Sequence, residues 1–300
     1  MWKSGFRGRL VLATLIVSPA IASDVVRYNR SQTVIDPKQN YYIALLTLAL
    51  QKSKDLFGDF QLQEVFIEEA NQARTLEFLE AGQFIDVHWT MTSIERERKL
   101  GTVYIPLLKG MMGARLFIVH KDSLPRLNQL INPLKLKELS VGSGFAWPDT
   151  RILKDNGFEV TVGSSENLIN MLEKKRFALF PRAIHEPWSE VNGRTELVVE
   201  ENLGLCYPVA MYFFTNQHNS RLRERLQYGL EKAIEDGSFD TLFATHPITA
   251  DVLSLAHFEQ RKVLPLQNEG ITARTRQVFN TPSLVWQPVF DCVKSFNPQL

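Results

Sequence analysis

Arginine beside hydroxyl groups is the clearest chemistry in this sequence. From Trp89 the chain reads WTMTSIERERK, an indole, Thr90 and Thr92, then a charged run carrying Arg96 and Arg98. The planar guanidinium fork matches a carboxylate through two parallel hydrogen bonds, which lysine cannot do. The same charged run also suits a solvated helix whose Glu and Arg side chains pair along its surface. A second charged stretch, KRFALFPRAIHE, places Arg182 close before His185 and Glu186. Carriers of catalysis are missing. There is no H-E-x-x-H, no G-x-S-x-G and no G-x-x-x-x-G-K-[ST]. The six histidines show no metal-ligand spacing and no cysteine pair has zinc-site spacing. No catalytic residue, metal or cofactor is expected. His185 with Glu186 is the nearest approach to an acid–base pair, and neighbours on a strand point oppositely.

The elements that must position these groups alternate. Val25-Val26-Arg27-Tyr28 reads as a strand, Asp36-Pro37-Lys38-Gln39 as a helix start with Asp36 as cap, and the following helix is apolar almost all round. Leu62 to Ile67 is the next strand, Ala70 to Glu80 a second helix, and Phe84 to Val87 the end of a buried strand. Arg115 to Val119 is strand-like. The pattern then restarts with Ser140-Val141-Gly142, a turn from Ser143 to Pro148, Val160 to Val162, a helix opening at Ser164 or Ser165, and Phe177 to Phe180. Pro208 to Thr215 is a strong strand, and Asn219 caps a helix closed by Gly237. Alternation of this kind argues for mostly parallel sheets. Three hundred residues exceed what one compact core usually holds, so two lobes are expected.

The first residues read as an address. Lys3, Arg7 and Arg9 precede the apolar or small run Leu10 to Val17, and Ser18-Pro19-Ala20-Ile21-Ala22 ends it, with cleavage expected after Ala22. That run is far short of the roughly 18 residues a membrane span needs. Without the three leader cations, 31 basic residues face 33 acidic ones, a formal charge of −2 that argues against nucleic acid or an anionic membrane as partner. Export would bring Cys206 and Cys292 into an oxidising compartment. The sequence leaves open whether they pair or remain two buried thiols.

The order of features from Asp86 to Lys121 resembles bacterial family 3 solute-binding proteins, the periplasmic receptors of polar amino-acid uptake systems. The resemblance rests on Asp86, the threonines, Glu95-Arg96, Ile105-Pro106, Gly110 and Gly113, and the strand that follows. It rests too on the helix segment NSRLRERLQYGLEKAIEDGSFDTLF, and it extends from about Val25 to Phe243. It implies an α/β, two-lobed type II periplasmic-binding fold, each lobe a mostly parallel sheet flanked by helices, joined by two crossing strands. Residues 1–22 would be the signal peptide, 24–119 with 215–300 the first lobe, and 120–214 the second. The end of the chain, rich in Pro and aromatic residues, would lie across the first lobe.

By the same resemblance, Thr90, Thr92 and one arginine take a ligand carboxylate. Arg96 is preferred to Arg98 because it keeps the Glu-Arg pair. Trp89 would either stack on the ligand or be a partly buried structural residue. Tyr28, at the end of the first strand, is a weaker wall candidate by position. Gly144 would lie at an anion-favouring helix start, and Trp147 in that turn would either face the ligand or cap a small core. The family's amino-binding acid falls at Ala183, with Glu186 as substitute if the loop shifts. Arg96 and Arg182 on opposite sides would suit a dianionic ligand. The expectation is a monomeric, non-enzymatic receptor in the periplasm that closes like a hinge on a small polar, carboxylate-bearing ligand. An ABC permease or a membrane sensor would be its partner. A ligand-free interaction module, or a small periplasmic dehydratase or lyase, are the alternatives on the same fold.

Overall fold

The computed structural model describes residues 23–30, 37–67, 72–145 and 147–296. The leader and the Asp36 cap lie outside them. The first sheet contains β1 (Asp24–Asn29), β2 (Phe60–Val65), β3 (Val87–Met91), β4 (Leu100–Val103) and β11 (Met211–Asn216), in the order β2-β1-β3-β11-β4. Strands β1, β2 and β3 run parallel, and β11 is antiparallel to both β3 and β4. The second sheet has the order β12-β10-β5-β8, from β5 (Ala114–His120), β8 (Phe180–Ala183), β10 (Leu203–Cys206) and β12 (Lys262–Pro265), and β9 (Leu197–Val199) also pairs with β5. A parallel pair, β6 (Val141–Gly144) and β7 (Val160–Gly163), joins it through a bridge between Val141 and Leu179.

The chain therefore passes between sheets at 104–113 and 207–210. Strand 114–120 stands in the second sheet and 211–216 in the first, so the expected breaks at 119 and 214 are displaced. The expectation for the last stretch is corrected as well. Strand β12 pairs in parallel with β10 of the second sheet, and Trp286 N–H donates to Lys109 O in the first crossing at 2.7 Å. Cys206 and Cys292 form a disulfide, which fastens helix Gln287–Phe296 to the end of β10.

The sequence dictates much of the packing. Helix α1 (Pro37–Lys52) is apolar on most sides, and it packs along α7 (Ser220–Glu235) and, through Tyr42 on Trp89, against the first sheet. Asn219 caps α7 as its type favours, accepting from Leu222 N–H at 3.1 Å. Arg225 of α7 is fully buried, yet each of its three guanidinium nitrogens has a partner. It donates to Asp24 Oδ2 at 2.6 Å, Ser53 Oγ at 3.1 Å, Gly58 O at 2.5 Å and Asp59 O at 3.2 Å. A buried cation is tolerable only with such partners. No described helix is long and apolar enough to cross a membrane.

Candidate functional site

A cleft of about 490 Å³ opens between the two sheets. One side comes from α2 (Gln72–Glu80) and α3 (Ile94–Lys99), which follow strands of the first sheet. The other comes from α4 (Pro148–Asp155), which follows β6. Residues 267–270 of the C-terminal stretch form a third side.

Ser93 begins α3 as a cap, its Oγ accepting from Arg96 N–H at 3.2 Å. This start turns Arg96 into the cleft and leaves Arg98 exposed, which separates the two arginines. The Arg96 guanidinium is held by three acceptors: Thr90 Oγ1 at 2.9 Å, Met91 O at 2.6 Å and Gln72 Oε1 at 3.0 Å. Burial lowers its pKa, while Glu95 and Asp149 act against that shift. Trp147 and Ile152 face it from α4 and the turn before it, with Leu76 and Ile94 adding apolar surface.

Of the residues singled out in the sequence, Thr92, Arg96 and Trp147 line the cleft. Thr92 is already engaged, donating its hydroxyl to Glu97 Oε1 at 2.5 Å. Thr90 is fully buried and serves by orienting Arg96. Trp89 and Tyr28 do not reach the cleft. The strand begins at Val87 instead of ending there, so Trp89 stands mid-strand, and it points into the core. Its ring stacks on Tyr42 at 5.5 Å, meets Phe213 edge-on at 6.3 Å and lies 6.3 Å from Tyr28. Gly144 is covered by Trp147, whose ring would sit 2.3 Å from any added Cβ.

Arg182 overturns the two-arginine reading. Its fork makes two hydrogen bonds of 2.7 Å to Glu190, and Glu186 lies 3.1 Å from the same guanidinium. Trp147 covers it from 4.8 Å. Burial alone would lower its pKa, but Glu186, Glu190 and Asp149 outweigh that and hold it raised. A cation with two glutamates of its own does not add a second anion site, so a dianionic ligand loses its basis. Glu186 also accepts from Ala183 N–H at 2.9 Å, and is thereby occupied as acid or base.

Three residues that the sequence did not single out as a site form a buried cluster joined to Arg96 through Met91. Arg115, at the start of β5, pairs with Asp149 at 2.5 Å, and its guanidinium lies 5.2 Å from the Tyr207 ring centre. The Tyr207 hydroxyl donates to Asp149, and burial raises its pKa well above the usual tyrosine value. Arg115 Nη2 also reaches Met91 Sδ at 3.9 Å. Single charges inside strand and helix patterns give no local signal. Only the fold brings 115, 149 and 207 together. Among the described residues no group of His, Cys, Asp and Glu is arranged to hold a metal ion.

No family model matches this sequence, and no curated protein sequence does. Solved structures are similar in fold. A histidine kinase sensor domain with similarity to periplasmic binding proteins superposes with a TM-score of 0.53 at 15% identity, covering 75% of this chain and 96% of that one. An ancestral arginine-binding protein bound to arginine gives 0.52 at 16%, covering 75% and 98%. The probable amino-acid ABC transporter extracellular-binding protein ytmK from Bacillus subtilis gives 0.56 at 16%, covering 76% and 100%. Each neighbour is covered almost whole, while about a quarter of this chain has no counterpart in it.

Proposed function

We propose that this chain, which has the two-lobed fold of periplasmic binding proteins, is a secreted receptor for a small polar ligand bearing a carboxylate. The observation that carries the reading is Arg96: a guanidinium fixed by three acceptors on β3 and α2, presented to an open cleft with Trp147 opposite. A preset fork of this kind binds a carboxylate with little further ordering. The lobes would be 24–103 with 211–255, and 114–206 joined by 262–265. The leader pattern supports export. The structural neighbours include both a sensor domain and transporter binding proteins, and a membrane sensor or an ABC permease is accordingly the partner class. Glu186, which the sequence offers with His185 as an acid–base pair, is committed to Arg182 and the Ala183 amide, which supports binding without turnover.

The test is thermal unfolding of residues 23–300 against amino acids, dicarboxylates, short peptides and polyamines. A ligand at 100 times its dissociation constant adds about 2.7 kcal/mol of stability. Arg96→Ala should abolish the shift produced by any carboxylate ligand; an undiminished shift in that variant refutes the assignment. The second reading, an interaction module without a ligand, is favoured by one observation. Near Arg96, the buried Arg115–Asp149 pair with Tyr207 is answered from within the protein itself. Silence across the whole panel would support it.

A further inference from the structure

The C-terminal stretch returns to the cleft and fastens both of its sides. It leaves β12 with Leu266, whose N–H donates to Cys206 O at 2.8 Å. Asn156, just past α4, then clasps the backbone of Gln267. Its Nδ2 donates to Gln267 O at 2.8 Å and its Oδ1 accepts from Gln267 N–H at 3.0 Å. In the middle, the buried Asn268 donates to Pro208 O in the return crossing at 2.8 Å, and accepts from Gly270 N–H at 2.9 Å. On the far side, Ile94 N–H at the start of α3 donates to Gly270 O at 3.0 Å. Three residues further along α3, Glu97 accepts the hydroxyls of Thr272 at 2.5 Å and Thr275 at 2.7 Å.

These contacts tie the helix after β3 of the first sheet to the helix after β6 of the second. Leu266 and Ile271 are buried near the two ends of the segment. Any rotation about the two crossings moves α3 against α4 and must break one set of these bonds. Breakage on the α3 side takes two hydroxyl donors from Glu97, and breakage at the return crossing leaves the buried Asn268 Nδ2 without its acceptor, which costs more than the hydrogen bond contributes.

We propose that residues 266–272 are a strap that pins the two halves of the fold at one spacing, making the cleft a preformed groove whose standing volume selects the ligand. Hinge closure around a small solute would require the strap to yield. At about 490 Å³ the groove falls in the size range of pockets that bury drug-sized molecules, and the strap determines that size. The selective role rests on the receptor reading above. The pinning does not.

The experiment needs no ligand. Nitroxide labels are placed on Lys54→Cys in the first half and Lys135→Cys in the second, both on exposed side chains, and the distance between them is measured by pulsed electron spin resonance. With the strap intact one narrow distance distribution is expected, and Asn156→Ala with Asn268→Ala should broaden it by several ångströms. A broad or two-peaked distribution with the strap intact overturns the proposal. So does a double variant with an unaltered distribution. Should Asn268→Ala fail to fold, Asn156→Ala alone carries the same comparison. Failure of the receptor reading would appear as silence in the thermal panel and would leave these distances unchanged.

Discussion

His88 and Arg96 are neighbours with opposite solutions to burial. Arg96 keeps its charge through three acceptors. The His88 Nδ1 is buried with no hydrogen-bond partner among the described residues. Burial, helped by the charge of Arg96, holds the His88 pKa at about 4. Since the unfolded value is about 6.5, the unfolded chain takes up the proton first, so stability declines as pH falls through 6.5 and the loss levels off near 4. The full effect is about 3 kcal/mol. Urea midpoints measured between pH 7.5 and 4 should fall accordingly, and His88→Gln should flatten that part of the profile. An equally steep profile in the variant would assign the acid sensitivity to other groups. At this scale the sequence was legible where one residue type carries one geometry, as with the fork of Arg96. It was not legible where the strand frame decided the outcome. Starting β3 at Val87 sent Trp89 into the core, and periodicity alone does not fix a strand's first residue.

Among elements, α1 and α7 make the closest approach. A Cβ on Gly229 would lie 1.8 Å from Ala49 O, so the two backbones are in direct contact there. Gly229→Ala should cost about 1–3 kcal/mol by overpacking, although alanine is the better helix former in isolation. Thermal unfolding measures it, and a stabilised variant would show that the helices separate without penalty. Both helices were legible in the sequence, α7 from its Asn219 cap and α1 from its apolar run. Their contact was not, because glycine inside a helix signals either a close packing or nothing. The final stretch was the least legible. Strand β12 has four residues, too few for an alternating pattern to declare itself, and its partner β10 lies 59 residues before it in the pairing of Leu203 with Lys262, Gly204 with Val263 and onward.

For the whole molecule, the disulfide between Cys206 and Cys292 closes a loop across a sequence separation of 86 residues. In the chain-entropy account such a loop stabilises the fold by about 4–5 kcal/mol. Cys292→Ser, or reduction, should lower the urea midpoint by that order, and an unchanged midpoint would mean that the tail is held by packing alone. The strand orders carry a further consequence, for the time course of folding. The first sheet needs both residue 24 and residue 216, and the second needs both 114 and 265. Neither sheet can close on an early fragment of the chain, so assembly waits for contacts distant in sequence and proceeds slowly, with strand edges and apolar faces uncovered meanwhile. A chain that crosses a membrane before folding profits from that delay, since it stays extensible for as long as its later strands are withheld.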